Sequence, residues 1–156
     1  MSEIEQLPKE FGNYLTDIEV WDTNWRVREY LHELKKLPVQ REIKGIFISN
    51  DEEVAPKSLW FFLDGYFIEV RNFLEKEIQD IQMTSLKGEV ESVNIKKQNF
   101  YIDIGSRNPD EPVQSKLQIS IKLKNDRVLA LSAVEAPNCR HLLKIYREYI
   151  RLLFPI

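Results

Sequence analysis

Apolar residues Phe11, Tyr14, Leu15, Ile18 and Trp21 recur at the i, i+3, i+4, i+7 spacing that gathers side chains on one face of a helix. After Asp22-Thr23-Asn24, where Asp22 or Thr23 can cap a new start, Val27, Tyr30, Leu31, Leu34 and Leu37 repeat that spacing until Pro38 ends it. Two helices, or one bent helix, are expected ahead of the first strand. From about residue 42 the period shortens from 3.6 to 2. EIKGIFIS reads as a first strand over 42–49 and NDEEVAPK as a loop. EIQDIQM and EVESVNI follow as strands separated by a break near Leu86-Lys87-Gly88. NFYIDI alternates Phe100, Ile102 and Ile104 against Tyr101 and Asp103, and GSRNPDEPVQSK is a loop of 12 residues. KLQISIKL sets Leu117, Ile119, Ile121 and Leu123 on one face against Lys116, Gln118, Ser120 and Lys122 on the other. Asn125-Asp126 turns the chain into RVLALSA. Pro137-Asn138 then opens a helix with the apolar face Leu142, Leu143, Tyr146, Tyr149, Ile150 and Leu153, and Pro155 closes it.

One stretch exceeds what simple alternation needs. SLWFFLDGYFIEVRNF, residues 58–73, centres on Asp64-Gly65, a strong hairpin signal because a type I′ turn requires positive φ at both central residues. A two-residue turn sets Leu63 opposite Tyr66, Phe62 opposite Phe67, Phe61 opposite Ile68, Trp60 opposite Glu69 and Leu59 opposite Val70. Leu59, Phe61, Leu63, Tyr66, Ile68 and Val70 form a continuous apolar face suited to an interior. The other face carries Trp60, Phe62 and Phe67 beside Glu69 and Arg71. Each ring buries about 150–250 Å² in a typical core, so something should cover this second face. Either the N-terminal helices, with Phe11, Tyr14, Trp21 and Tyr30, pack there, or Trp60, Phe62 and Phe67 are a partner or ligand surface.

Composition narrows the classes without naming a function. A chain of 156 residues matches one domain, here a helical segment over 1–38 followed by strands and helix over 39–156. The formal charge of -3 gives no general attraction to nucleic acid or anionic membrane, so any basic surface must be local. The start lacks a basic and apolar leader, and no apolar run approaches the roughly 18 residues of a spanning helix. A transmembrane segment is not expected and a cytoplasmic location is. A single cysteine, Cys139, excludes an intramolecular disulfide and fits a reducing compartment.

Around seven antiparallel strands and a closing amphipathic helix, from about Ile43 to Leu153, resemble in their order the pleckstrin-homology-like barrel family, including its bacterial members. WFFLDGYFIEV looks like the second and third strands and NCRHLLKIYREYI like the closing helix. The N-terminal helices depart from the family's minimal pattern. The resemblance implies an α+β fold, an antiparallel β-barrel or strongly curved sheet with a C-terminal helix, serving as a scaffold for phosphoinositide headgroups, peptides or proteins without catalysis. Lipid-binding members carry Lys and Arg in the first loop. NDEEVAPK, with three carboxylates and one lysine, should repel a phosphorylated headgroup there.

Few residues suggest chemistry. Arg140, Lys144, Arg147 and Arg151 form a basic stripe on the closing helix, either a solvated face or a surface for an anionic partner. Cys139 and His141 stand about 200° apart on a helix, which separates a nucleophile from its base. Asp51, Glu52 and Glu53 are contiguous and lack calcium-loop spacing; Asp110 and Glu111 read likewise as solubilising. No phosphate-binding glycine loop is present, and no cofactor or metal is implied. The expectation is a non-enzymatic association module, with a protein partner or self-association at Trp60, Phe62, Phe67, Arg140, Lys144, Arg147 and Arg151. A helix-grip carrier of a lipid or small apolar ligand is the alternative, and an enzyme the third. Interior volume separates the first two, because a carrier must keep a cavity of about 300 Å³ or more.

Overall fold

The computed structural model describes residues 13–14, 27, 29–30, 32, 43–50, 56–73, 80–100, 114–134 and 136–153. Of the N-terminal segment, Asn13, Tyr14, Val27, Glu29, Tyr30 and His32 are helical. The two expected helices otherwise lie outside the described residues, as do the acidic loop at Asp51–Glu53 and the long loop carrying Asp110 and Glu111.

Seven strands follow, β1 (Gly45–Asn50), β2 (Pro56–Leu63), β3 (Tyr66–Arg71), β4 (Asp80–Ser85), β5 (Val90–Phe100), β6 (Gln114–Leu123) and β7 (Val128–Val134). Helix α1 (Ala136–Ile145) comes next and runs into a π-helical turn, Tyr146–Ile150, and a 3-10 turn, Arg151–Leu153. The strands form two antiparallel sheets, β1-β2-β3-β4 and β5-β6-β7, and not the one closed barrel or strongly curved sheet of about seven strands that the resemblance implied. Asn99 and Phe100, which open the stretch NFYIDI, are the last residues of β5, and the rest of that stretch lies outside the described residues.

The Asp64-Gly65 hairpin has the register that alternation dictates, from Leu63 opposite Tyr66 to Leu59 opposite Val70. Its turn differs. Gly65 has φ 78° whereas Asp64 is not in the left-handed region, so positive φ falls only on the second central residue, the type II pattern and not type I′. Gly88, also at φ 78°, turns β4 into β5, with the Glu89 amide donating to the Leu86 carbonyl. Asp126 (φ 69°) and the Asn125 side chain, which accepts from the Arg127 amide, close the β6–β7 turn.

Both faces of the hairpin are buried. Leu59, Phe61, Ile68 and Val70 on one, and Trp60, Phe62 and Phe67 on the other, all have 1 % exposure or less. Gly45, Phe47, Trp60, Phe62, Phe67, Gln82 and Thr84 share a face through the strand register. The closing helix and the second sheet meet this face: Tyr149 stacks on Phe62, and Arg127 donates to the side chains of Gln82 and Thr84. Both faces belong to one continuous core, which also includes the helical residues Val27 and Tyr30. In the second sheet Leu117, Ile119, Ile121 and Leu123 are buried as their alternation requires.

The two sheets fail to close into a barrel at β1 and β7, where side chains replace a backbone ladder. Ser49 Oγ accepts from the Ser132 amide (3.0 Å) and donates to the Ser132 carbonyl (3.2 Å). Asn50 Oδ1 accepts from the Val134 amide at 3.1 Å.

Candidate functional site

An edge strand exposes a row of unpaired amides and carbonyls unless something satisfies them. On β1 side chains do so. Tyr149 Oη donates to the Lys44 carbonyl (2.8 Å), His141 Nε2 to the Ile46 carbonyl (2.7 Å) and Asn138 Nδ2 to the Ile48 carbonyl (2.9 Å), while the Ile48 amide donates to Tyr14 Oη (2.8 Å). Because a carbonyl only accepts, His141 carries a proton on Nε2. Helix α1 and its π-helical extension thus lie along β1 as a surrogate strand, presenting Asn138, His141 and Tyr149.

Tyr14 ties the N-terminal helical segment to this arrangement. Its hydroxyl donates to Asn138 Oδ1 at 2.7 Å, and its ring stacks on His141 with centroids 3.7 Å apart. Burial pushes the Tyr14 hydroxyl well above the usual tyrosine range, with the Ile48 amide bond acting weakly the other way, so it stays neutral.

Tyr149 closes the outer end. Its ring lies parallel to Phe62 with centroids 5.6 Å apart, and Phe62 meets Phe67 edge to face at 4.6 Å. A Cβ at Gly45 would stand 2.8 Å from the Tyr149 ring, so the absence of a side chain there lets the ring settle on β1.

Between the foot of β1 and α1 runs a cleft of about 310 Å³, whose lining includes Tyr14, Lys44, Arg140, His141, Lys144, Ile145 and Glu148. Lys44, Arg140 and Lys144 are exposed cations that form no ion pair among the described residues, and Glu148 is the one carboxylate among the described lining residues. A second cleft, of about 240 Å³, continues past Tyr149 toward Gly65, Gly88 and Leu152.

The structure splits the site residues expected from sequence. Trp60, Phe62 and Phe67 lie inside the fold, so they form no exposed aromatic patch. Tyr149 of the π-helical turn stacks on Phe62. Arg140 and Lys144 line the first cleft, whereas the equally exposed Arg147 and Arg151 line neither. The π-helical turn contributes to that division: the Arg151 amide reaches back five residues to the Tyr146 carbonyl, so the turn departs from the 3.6-residue period on which the stripe was read. Lys44, Gly45 and Tyr14 were not expected at a site. They come from distant parts of the chain, and no local spacing announces their meeting with α1.

Side chains with chemical potential are committed to structure here. The buried Cys139 thiol donates to the Ala133 carbonyl at 3.4 Å. Among the described residues no group of three His, Cys, Asp or Glu is placed to hold a metal ion, and no helix is long and apolar enough to cross a membrane. Compared with protein-family models, curated proteins and solved structures, the chain shows no significant match.

Proposed function

We propose that this chain is a non-enzymatic protein-association module of pleckstrin-homology-like architecture, working in the cytoplasm. The order of four antiparallel strands, then three, then a helix supports the architecture. The observation that carries the function is the cleft beside α1, where three cations without an ion pair among the described residues surround ring and aliphatic surface while the neighbouring reactive groups are engaged. Cys139, His141 and Tyr14 each hydrogen-bond a backbone or buried side-chain group, which leaves them structural work. The rings of Phe62, Phe67 and Tyr149 pack in mutual contact beneath the π-helical turn, where a helix-grip carrier would need its cavity.

Native mass spectrometry of the freshly purified full chain tests the reading. A defined complex with itself or another protein is expected. A stoichiometric small apolar molecule on a monomer would replace the association module with the carrier, and a bare monomer would count against self-association.

A further inference from the structure

The geometry points to a specific partner chemistry at the α1 cleft: an acidic peptide segment with an apolar anchor residue, held by Lys44, Arg140 and Lys144. This inference rests on the association reading and names what that surface takes.

The charge argument is local. The chain carries -3 overall, so a polyanion gains nothing from the molecule at large, and attraction must come from the place where cations gather. Lys44 arrives from the foot of β1, and Arg140 and Lys144 from one face of α1 a single turn apart. None has an ion-pair partner among the described residues, so an incoming carboxylate need not break a bridge to any of them. Glu148 subtracts from this field but leaves cations in the majority.

The lining argues for more than an anion. The half-buried His141 and Tyr149 rings line the cleft between the cations, with Tyr14 and Ile145 buried behind them, and about 310 Å³ lies at the small end of ligand pockets. That is room for a side chain or two, not for a folded surface. Nor can the partner join as an extra strand on β1 here, since Lys44, Ile46 and Ile48 already have their carbonyls engaged by Tyr149, His141 and Asn138. Recognition therefore runs through side chains, with carboxylates on the cations and one apolar residue on the ring floor.

The test uses two fluorescein-labelled peptides on the full chain, Glu-Glu-Leu-Glu-Glu and its leucine-free counterpart of five glutamates, read by fluorescence anisotropy at low and high salt. The leucine peptide is expected to bind more tightly, with affinity falling as salt rises. Combined Arg140→Glu and Lys144→Glu should weaken it by about tenfold or more, since like charges then face each other. Combined Arg147→Glu and Arg151→Glu, an equal change of charge outside the cleft, should change it by less than about twofold. Circular dichroism confirms that both variants fold. Equal weakening by both pairs would reveal a diffuse field and overturn the site. Equal affinity for both peptides, with displacement by inorganic phosphate, would make the cleft a simple anion pocket and overturn the peptide assignment. No binding of either peptide overturns the inference, and a defined complex in native mass spectrometry would still leave the association reading standing.

Discussion

Tyr14 concentrates the consequences that a single residue can have in this fold. Its hydroxyl joins a backbone amide of β1 to the first turn of α1, and burial keeps it neutral. Tyr14→Phe keeps the ring on His141 but leaves the Ile48 amide and Asn138 Oδ1 without that partner, at about 1–3 kcal/mol, measurable by urea unfolding. The same group sets a pH dependence. Its folded pKa lies above the ordinary value, so no penalty exists below pH about 10; above it the unfolded chain releases the proton while the folded one holds it, and stability falls as pH rises. The urea midpoint of the native protein should therefore drop more steeply above pH about 10 than that of Tyr14→Phe. Parallel pH curves would contradict the assignment. Gly45 is the other exacting position. Gly45→Ala pushes a methyl into the Tyr149 ring and should cost about 1–3 kcal/mol, as overpacking does. In a double-mutant cycle with Tyr149→Ala the two costs should not add, because the clash disappears with the ring.

At the scale of elements, alternation made some features legible and left others silent. The hairpin register and the buried face of β6 followed from period-2 patterning and turn residues, and the structure has both. Which hairpin face looks inward did not follow, because both are apolar. Glu69 and Arg71 share the aromatic side, yet they sit away from the turn and pair with each other at 3.3 Å, while Trp60, Phe62 and Phe67 are enclosed. The candidate site divides in the same way. Arg140 and Lys144 could be read from helical spacing, whereas Tyr14 and Lys44 reach the cleft only through tertiary packing across 124 residues between Tyr14 and Asn138. The register that joins α1 to β1 has its own check. Tyr149→Ala uncovers Phe62 and frees the Lys44 carbonyl, so it should destabilise by about 2 kcal/mol or more and raise binding of a hydrophobic dye.

For the whole molecule, the two sheets are held by few but specific polar links. Arg127 reaches from the β6–β7 turn to Gln82 and the buried Thr84, and Ser49 and Asn50 reach from β1 to the β7 backbone. Arg127→Ala should cost about 1–3 kcal/mol in urea unfolding, the range for bonds to a charged donor, although Arg127 belongs to a surface turn. With β1 flanked by α1 on one side and β2 on the other, the cationic cleft is open ground beside the closing helix, and it is where the proposed partner docks.

The central structural claim is that side chains, not a paired strand, close the outer edge of β1. Amide hydrogen exchange at Ile48, followed by NMR in the native protein and in Tyr14→Phe, tests it most directly. Slow exchange in the native protein, accelerated by about tenfold or more in the variant while the Phe61 and Ile68 amides stay protected, is the predicted result. Slow exchange unchanged by Tyr14→Phe would mean that the Tyr14 hydroxyl does not hold the Ile48 amide, and side-chain closure of that edge at Ile48 would be wrong.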